Sequence, residues 1–409
     1  MNRLPALLAL ALAAGCASGP DSPPVEFWAG AARIDLTPTR NLPLGGYSGR
    51  QGRPLAGVHD PVLAKALWLE TPESRVCLVT TDLIGSSLDI RDRIKPSDAD
   101  LVLAASHTHS GPGALKRGLW ELALGKFDPE FLEETVERLK RVVDEARAAK
   151  RPAGLAFGSA RVEGFSRNRR NRDGPVDPEL SVLVVRDELA RPMAVLANFA
   201  AHPTLLDERN FLVSADWPGA FQRALEERLG GTVLFTNGAE GDLAPRAPGG
   251  RDGFERCRAL GHALADRAAI LVRGIEKATG RVRMKYVERG VDLPTPTLPA
   301  APTRSVLGVL EINGTRFFCV PGEPAVELGL ELKRRFPGSW VLGLANDHLG
   351  YFLTEAEYRK GGYERLVSFY GPGMGAWLVD RLGQLGEGEH APDRPGQPEG
   401  GRGKDHHGR

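Results

Sequence analysis

Apolar positions along the 409-residue chain form two alternating kinds of run. Short stretches rich in Val, Leu and Ile read as strands over 61–70, 75–83, 100–106, 180–187, 193–202, 231–238, 305–312, 315–322 and 340–346. Between several of them, apolar residues spaced three and four apart predict amphipathic helices over 129–149, 217–229, 253–275 and 324–336. Such alternation argues an α/β fold. Asn313-Gly314 joins two of the strand runs as a hairpin turn, so at least one sheet is mixed. The proline-rich stretch LPTPTLPAAPT, 293–303, is the best internal boundary on composition. Candidate chemistry falls on both sides of it, which argues against independent domains. No internal repeat is legible in the sequence. The last stretch, 386–409, is expected to be a disordered tail, with His390, His406 and His407 read as solvated.

The N-terminus changes the picture. Arg3 precedes LPALLALALAAGC, an apolar run too short to span a bilayer, and 1–15 reads as a signal peptide. Its ending, LAAGC, resembles a bacterial lipobox, with Ala13 where leucine more often stands and Cys16 as the lipidated residue. Residues 16–28 then form a polar tether. Ala17 after the cysteine favours the outer membrane, with secretion or a periplasmic location as the alternative. Composition adds mainly exclusions. A hydrophobic fraction of 42% and a charged fraction of 26% are those of a globular protein. A formal net charge of +1 gives no electrostatic case for a nucleic-acid partner. Cys77, Cys257 and Cys319 fit no zinc-thiolate spacing and read as buried hydrophobes rather than a disulfide scaffold.

Two of the nine histidines stand together in SHTHSGPG, 106–113, just after the apolar run LVLAA. On an extended segment His107 and His109 would point to the same side, and neutral imidazoles facing one space suggest a metal. Other polar groups also follow strand-like runs: Asp82, His202 in NFAAHPT, Asp216 in SADWPG, Asp242 in NGAEGDLAP and Glu323 in CVPGEPA. Strand ends are the usual place for a ligand in an α/β fold. Asp216 reads equally well as a helix cap and Asp242 as a turn residue.

The order of SHTHSGPG, NFAAHPT, SADWPG, NGAEGDLAP, VPGE and GYFLTEAEYRKGGYE resembles the neutral/alkaline non-lysosomal ceramidases from about Ala31 to Gly375. The last block reproduces that family's Y-x-x-T-x-x-E-Y-x-x-x-x-Y pattern from Tyr351 to Tyr363. The resemblance implies one large zinc hydrolase domain over 29–385, of mixed β-sheets flanked by helices, without the family's C-terminal immunoglobulin-like domain. It implies Zn2+ held by His107, His202, Glu323 and Tyr351, and cleavage of the N-acyl amide of ceramide or a related N-acyl lipid by a zinc-activated water. His109 would transfer protons and Tyr363 would be a second active-site tyrosine. Arg169 would lie beside the substrate, among Arg167, Arg170 and Arg172.

The donor set suits the chemistry, since zinc takes nitrogen and anionic oxygen ligands and catalytic sites keep a position for water. Ala244 stands where many family members carry a serine, and an alanine cannot form an acyl-enzyme. Two alternatives stay open: a hydrolase of smaller, non-sphingolipid amides, and a non-catalytic lipid-binding lipoprotein. The expected partners are the N-acyl lipid and, through Cys16, a membrane surface.

Overall fold

The computed structural model describes residues 26–275 and 277–388, so the signal peptide, Cys16 and 389–409 of the tail lie outside the described residues. The principal elements recur in one order three times: three strands, a helix, a fourth strand and a second helix. The first unit runs β1 (Trp28–Asp35), β2 (Leu63–Glu70), β3 (Arg75–Thr81), α1 (Leu88–Ile94), β4 (Asp100–Ala105) and α2 (Pro129–Ala148). The second is β5 (Arg151–Arg161), β6 (Glu179–Asp187), β7 (Pro192–Phe199), α3 (Asp216–Leu229), β8 (Thr232–Asn237) and α4 (Gly253–Gly274). The third is β9 (Met284–Asp292), β10 (Arg304–Ile312), β11 (Thr315–Cys319), α5 (Val326–Arg335), β12 (Trp340–Leu342) and α6 (Met374–Glu387).

Pairing repeats as faithfully as element order. In each unit the first three strands are antiparallel neighbours, and the fourth lies parallel to the third after a helical crossover. Val79 pairs with Leu103, Leu196 with Leu234, and Phe318 with Val341. The first two units join through β1 and β5, at Trp28–Pro152 and Ala29–Arg151, into one eight-stranded sheet. The third unit keeps its own four-stranded sheet. The fold therefore carries an internal repeat of topology, with no matching repeat of residue identity in the sequence.

Side-chain alternation explains the layers. One face of the large sheet, with Leu67, Leu69, Leu78, Val102, Leu183 and Leu196, packs on Leu310, Phe317, Trp340 and Leu342 of the small one. Its other face takes α2 through Val136, Leu139 and Val143, and α3 and α4 through Phe221, Leu260 and Leu264. The small sheet's outer face takes α5 and α6 through Leu328, Leu332, Leu378 and Leu382. The result is a helix–sheet–sheet–helix stack. Strands buried on both faces read as continuous apolar runs, which is why the second, third and fourth strand of every unit is legible in sequence.

The first strand of every unit is not. WAGAARID, RPAGLAFGSAR and MKYVERGVD are poor in β-branched residues and only partly buried. Helix α6 was also hidden, because Gly375, Gly383 and Gly386 interrupt its pattern, yet Leu378 and Leu382 are fully buried. The stretch 293–303 is the loop of a hairpin in which Asp292 pairs with Arg304, so it divides nothing. Fully buried Phe27 and the start of β1 at Trp28 bring the last residues of the expected tether into the fold.

Candidate active site

The four expected metal ligands and His109 come from the carboxyl ends of the parallel strand pairs. His107 and His109 follow β4, His202 follows β7, Glu323 follows β11, and Tyr351 follows β12. The loops are tied across units by buried amides. Asn237 Nδ2 donates to the carbonyls of Ser106 (3.2 Å) and Ala201 (3.1 Å), and Asn346 Oδ1 accepts from the Leu103 N–H at 3.0 Å. The strand ends of the three units are thereby held as one wall.

His107 and His109 do face one space, but not through strand alternation. β4 ends at Ala105, and His107 adopts a left-handed conformation, φ +72°. That backbone is strained for a non-glycine residue and is held by the His107 N–H donating to Leu83 O at 3.0 Å. The two rings stand edge-on, 4.7 Å apart. Gly46, at φ +103°, lets the chain pass His109, since a Cβ there would lie 2.5 Å from Nδ1.

The protons of the two metal-type imidazoles are already committed. His107 Nδ1–H donates to Ile84 O at 2.6 Å, and His202 Nδ1–H donates to Glu240 O at 2.8 Å. Both Nε2 lone pairs then face Glu323 Oε2, each at 3.2 Å. Tyr351 Oη lies 3.2 Å from His202 Nε2. Acceptors do not converge in a buried space without a compensating positive charge. Burial, with Arg169 nearby, lowers His202 to about 4, so this ring is neutral at ordinary pH. Burial alone would raise Glu323, but His107 and the hydrogen bonds around it hold its carboxyl well below the usual range. One proton would satisfy one of these contacts; one cation satisfies them all. The 3.2 Å separations also match the roughly 3.3 Å edge of a tetrahedron with zinc–ligand bonds of 2.0–2.1 Å. Nitrogens of His107, His109 and His202 all lie within 4.8 Å of one another, a buried histidine group able to hold a metal ion.

Of the four neighbouring arginines, Arg169 is the one that reaches this centre. Its Nη2 donates to Tyr351 Oη at 3.0 Å and to Gly241 O at 2.8 Å, and its Nε to Glu364 at 2.9 Å. Arg170 turns away to Glu357 and Glu364, while Arg167 and Arg172 are exposed. Tyr363 is 59% exposed, with its ring 6.1 Å from that of Tyr351, so it stands at the mouth. The other candidates are supports. Asp82 accepts from Leu63 N–H and Gln222 Nε2, and Asp216 from Leu206 and Trp217 N–H. Asp242 accepts from Asn168 Nδ2 at 2.9 Å, on the residue before Arg169, and from Val326 N–H at the start of α5.

Sequence reasoning missed two groups. His348 Nε2–H donates to Glu323 Oε1 at 2.9 Å, although its sequence context, NDHLG, matches no metal spacing. Buried Arg50 donates to His109 O at 2.6 Å and to Gly45 O at 2.9 Å, steadying the histidine loop from a distant segment. Neither carries a local signal, because each acts only through a partner far along the chain.

A family model described as neutral/alkaline non-lysosomal ceramidase, N-terminal, matches residues 27–259. The chain belongs to this family. It is 28% identical over 268 residues to a neutral ceramidase of Pseudomonas aeruginosa, covering 58% of this chain and 39% of that one. It is 25% identical over 472 residues to a neutral ceramidase of Mycobacterium tuberculosis, covering 84% of this chain and 74% of that one. The chain thus spans about two fifths of the length of the Pseudomonas relative. A crystal structure of the neutral ceramidase from Pseudomonas aeruginosa superposes with a TM-score of 0.80 at 22% identity, over 92% of this chain and 77% of that one. That likeness fixes the fold.

Proposed function

We propose that the chain hydrolyses the amide bond of ceramide or a related N-acyl lipid, using one zinc ion held by His107, His202, Glu323 and Tyr351. The observation that carries this reading is the meeting of His107 Nε2 and His202 Nε2 with Glu323 Oε2, each at 3.2 Å, in a chain of the ceramidase family. Zinc bound there supplies a Lewis acid and brings the ionisation of water to about pH 7.

The chain's own residues do the rest. Burial, with His107 and His202 beside it, keeps His109 well below the usual imidazole range, so the ring is neutral. It takes the proton of the attacking water and returns it to the leaving amine. Burial and the neighbouring Glu323 push the Tyr351 phenol well up, and Arg169, donating to its oxygen at 3.0 Å, works in the opposite direction, towards the phenolate that a bound cation would favour. Tyr363, at the mouth, donates to the developing oxyanion. Ala244 has no hydroxyl, so no acyl-enzyme forms at that position.

Purified, zinc-loaded protein is expected to release fatty acid from N-acylsphingosines within a panel that also holds short N-acyl amides. Chelation stops turnover and zinc restores it, while serine-directed covalent inhibitors have no effect. Turnover that survives complete metal removal, or an absence of release from every long-chain substrate, would overturn the reading. Cleavage of the short amides alone would move it to a smaller substrate.

We further propose that lipidated Cys16 anchors the protein to the bacterial outer membrane, close to a lipid substrate. Support comes from the lipobox-like LAAGC alone. Wild-type protein should sediment with membranes and Cys16→Ser should not. Wild-type protein found wholly in the soluble fraction would refute the anchor.

A further inference from the structure

We propose that His348 is the positioning residue that makes Glu323 a one-oxygen ligand, an inference that rests on the reading of the metal centre above. Glu323 is 3% exposed, and its two oxygens have separate occupations. Oε1 accepts from His348 Nε2–H at 2.9 Å. Oε2 faces the Nε2 atoms of His107 and His202, both at 3.2 Å. A carboxylate free to rotate would offer either oxygen, or both, to the ion. With Oε1 engaged, only Oε2 is presented.

The three-unit architecture gives this contact its meaning. In each unit, the ligand from one strand of the parallel pair is oriented by a group beyond the end of the other. In the first unit, His107, after β4, donates to Ile84 O, after β3. The second unit does the same in reverse, His202, after β7, donating to Glu240 O, after β8. In the third, Glu323, after β11, accepts from His348, after β12. An imidazole needs an acceptor for its remaining proton, and backbone carbonyls supply one. A carboxylate needs a donor, and here a side chain supplies it. His348 therefore does for Glu323 what carbonyls do for the two histidines.

The imidazole is held as a positioning group should be. It is 3% exposed, with its Trp120 neighbour's ring 4.5 Å away. Lys116 Nζ donates to the His348 carbonyl at 3.1 Å, and the His348 N–H donates to Asp347 Oδ1 at 2.8 Å. Its Nδ1 is buried with no hydrogen-bond partner, so the ring proton belongs on Nε2, towards Glu323. Gly85, in the loop after β3, allows this approach: a Cβ there would lie 2.5 Å from Nδ1.

The test measures zinc affinity by competition with a chromophoric chelator, using the full chain. His348→Phe keeps an aromatic ring against Trp120 but removes the donor, and its affinity is expected to fall by about 10–100-fold. His348→Gln restores an amide N–H near the Nε2 position and is expected to stay within about threefold of wild type. A merely structural role would not produce that rescue. Wild-type affinity in His348→Phe, or a His348→Gln as weak as His348→Phe, overturns the proposal. Should His348→Phe fail to fold, His348→Leu takes its place, because it also removes the donor: weakened zinc binding supports the proposal and wild-type affinity overturns it. Wild-type protein that binds no zinc overturns the reading of the centre itself, a result distinct from a failure confined to His348.

Discussion

The loops that follow β3, β7 and β11 occupy equivalent places in three topologically identical units, yet they do different work. Asp82, after β3, accepts hydrogen bonds from Leu63 N–H and Gln222 and never enters the metal-type cluster. His202, after β7, and Glu323, after β11, meet there at 3.2 Å. In the first unit the contribution comes from the sister strand instead, as His107 and His109 after β4. The unit thus provides a place, the carboxyl end of a parallel strand pair, and the side chain at that place decides the chemistry. Sharing a sheet does not decide it either, because the first two units share one and the third does not.

The strongest way to break this comparison is His202→Ala. It removes the one ligand proposed for the second unit, and zinc content is expected to fall from about one ion per chain to near zero, with turnover lost by about 10³-fold. A His202→Ala protein that keeps its full complement of zinc takes the second unit out of the centre. Next comes His109→Ala, which separates proton transfer from metal binding within one loop. Its kcat should drop by about 10²–10⁴-fold while elemental analysis still finds zinc. Loss of the metal as well would mean that His109 belongs to the ligand set.

Acid titration of the chelator-treated protein compares the second and third units. Burial lowers both His202 and His348 to about 4, against an ordinary value of 6.5. The unfolded chain therefore takes up protons first as pH falls, so stability rises with pH between about 4 and 6.5 and is flat above that window with respect to these groups. Each histidine should account for about 3 kcal/mol of the loss at the acid end, read from urea unfolding at several pH values. His202→Gln should remove about half of the effect attributable to the pair, and an unchanged slope would contradict it.

The smallest effect belongs to Asp82→Ala, which leaves a buried N–H and an amide without their acceptor. A loss of about 1–3 kcal/mol in unfolding free energy is expected, with zinc content unchanged. Zinc loss in this variant would show that the first unit's two strand ends are not as separate in function as their contacts indicate.

The elements buried on both faces, and the residue types able to hold a metal, are legible from local sequence. Nine strands and four helices were legible because long apolar runs and the helical spacing are local properties. The four runs over 75–83, 193–202, 315–322 and 340–346 end beyond their strands, at Thr81, Phe199, Cys319 and Leu342. Those overshooting residues, such as Leu83, Ala201 and Val320, are buried in the hydrophobic core as loop rather than as strand. His107, His202, Glu323 and Tyr351, which the fold brings together, stand in an ordered set of motifs, each of which is short and local. The remainder depends on contacts between distant parts of the chain. β1, β5 and β9 become strands because their backbones pair, which composition does not record. Three dissimilar sequences share one topology because pairing constrains burial and direction but not residue identity. Arg169 was singled out from its neighbours by reach to Tyr351, and Arg50 and His348 by single hydrogen bonds to distant partners. Such contacts join residues 59, 182 and 25 positions apart, and no local pattern encodes which of many buried polar groups will meet.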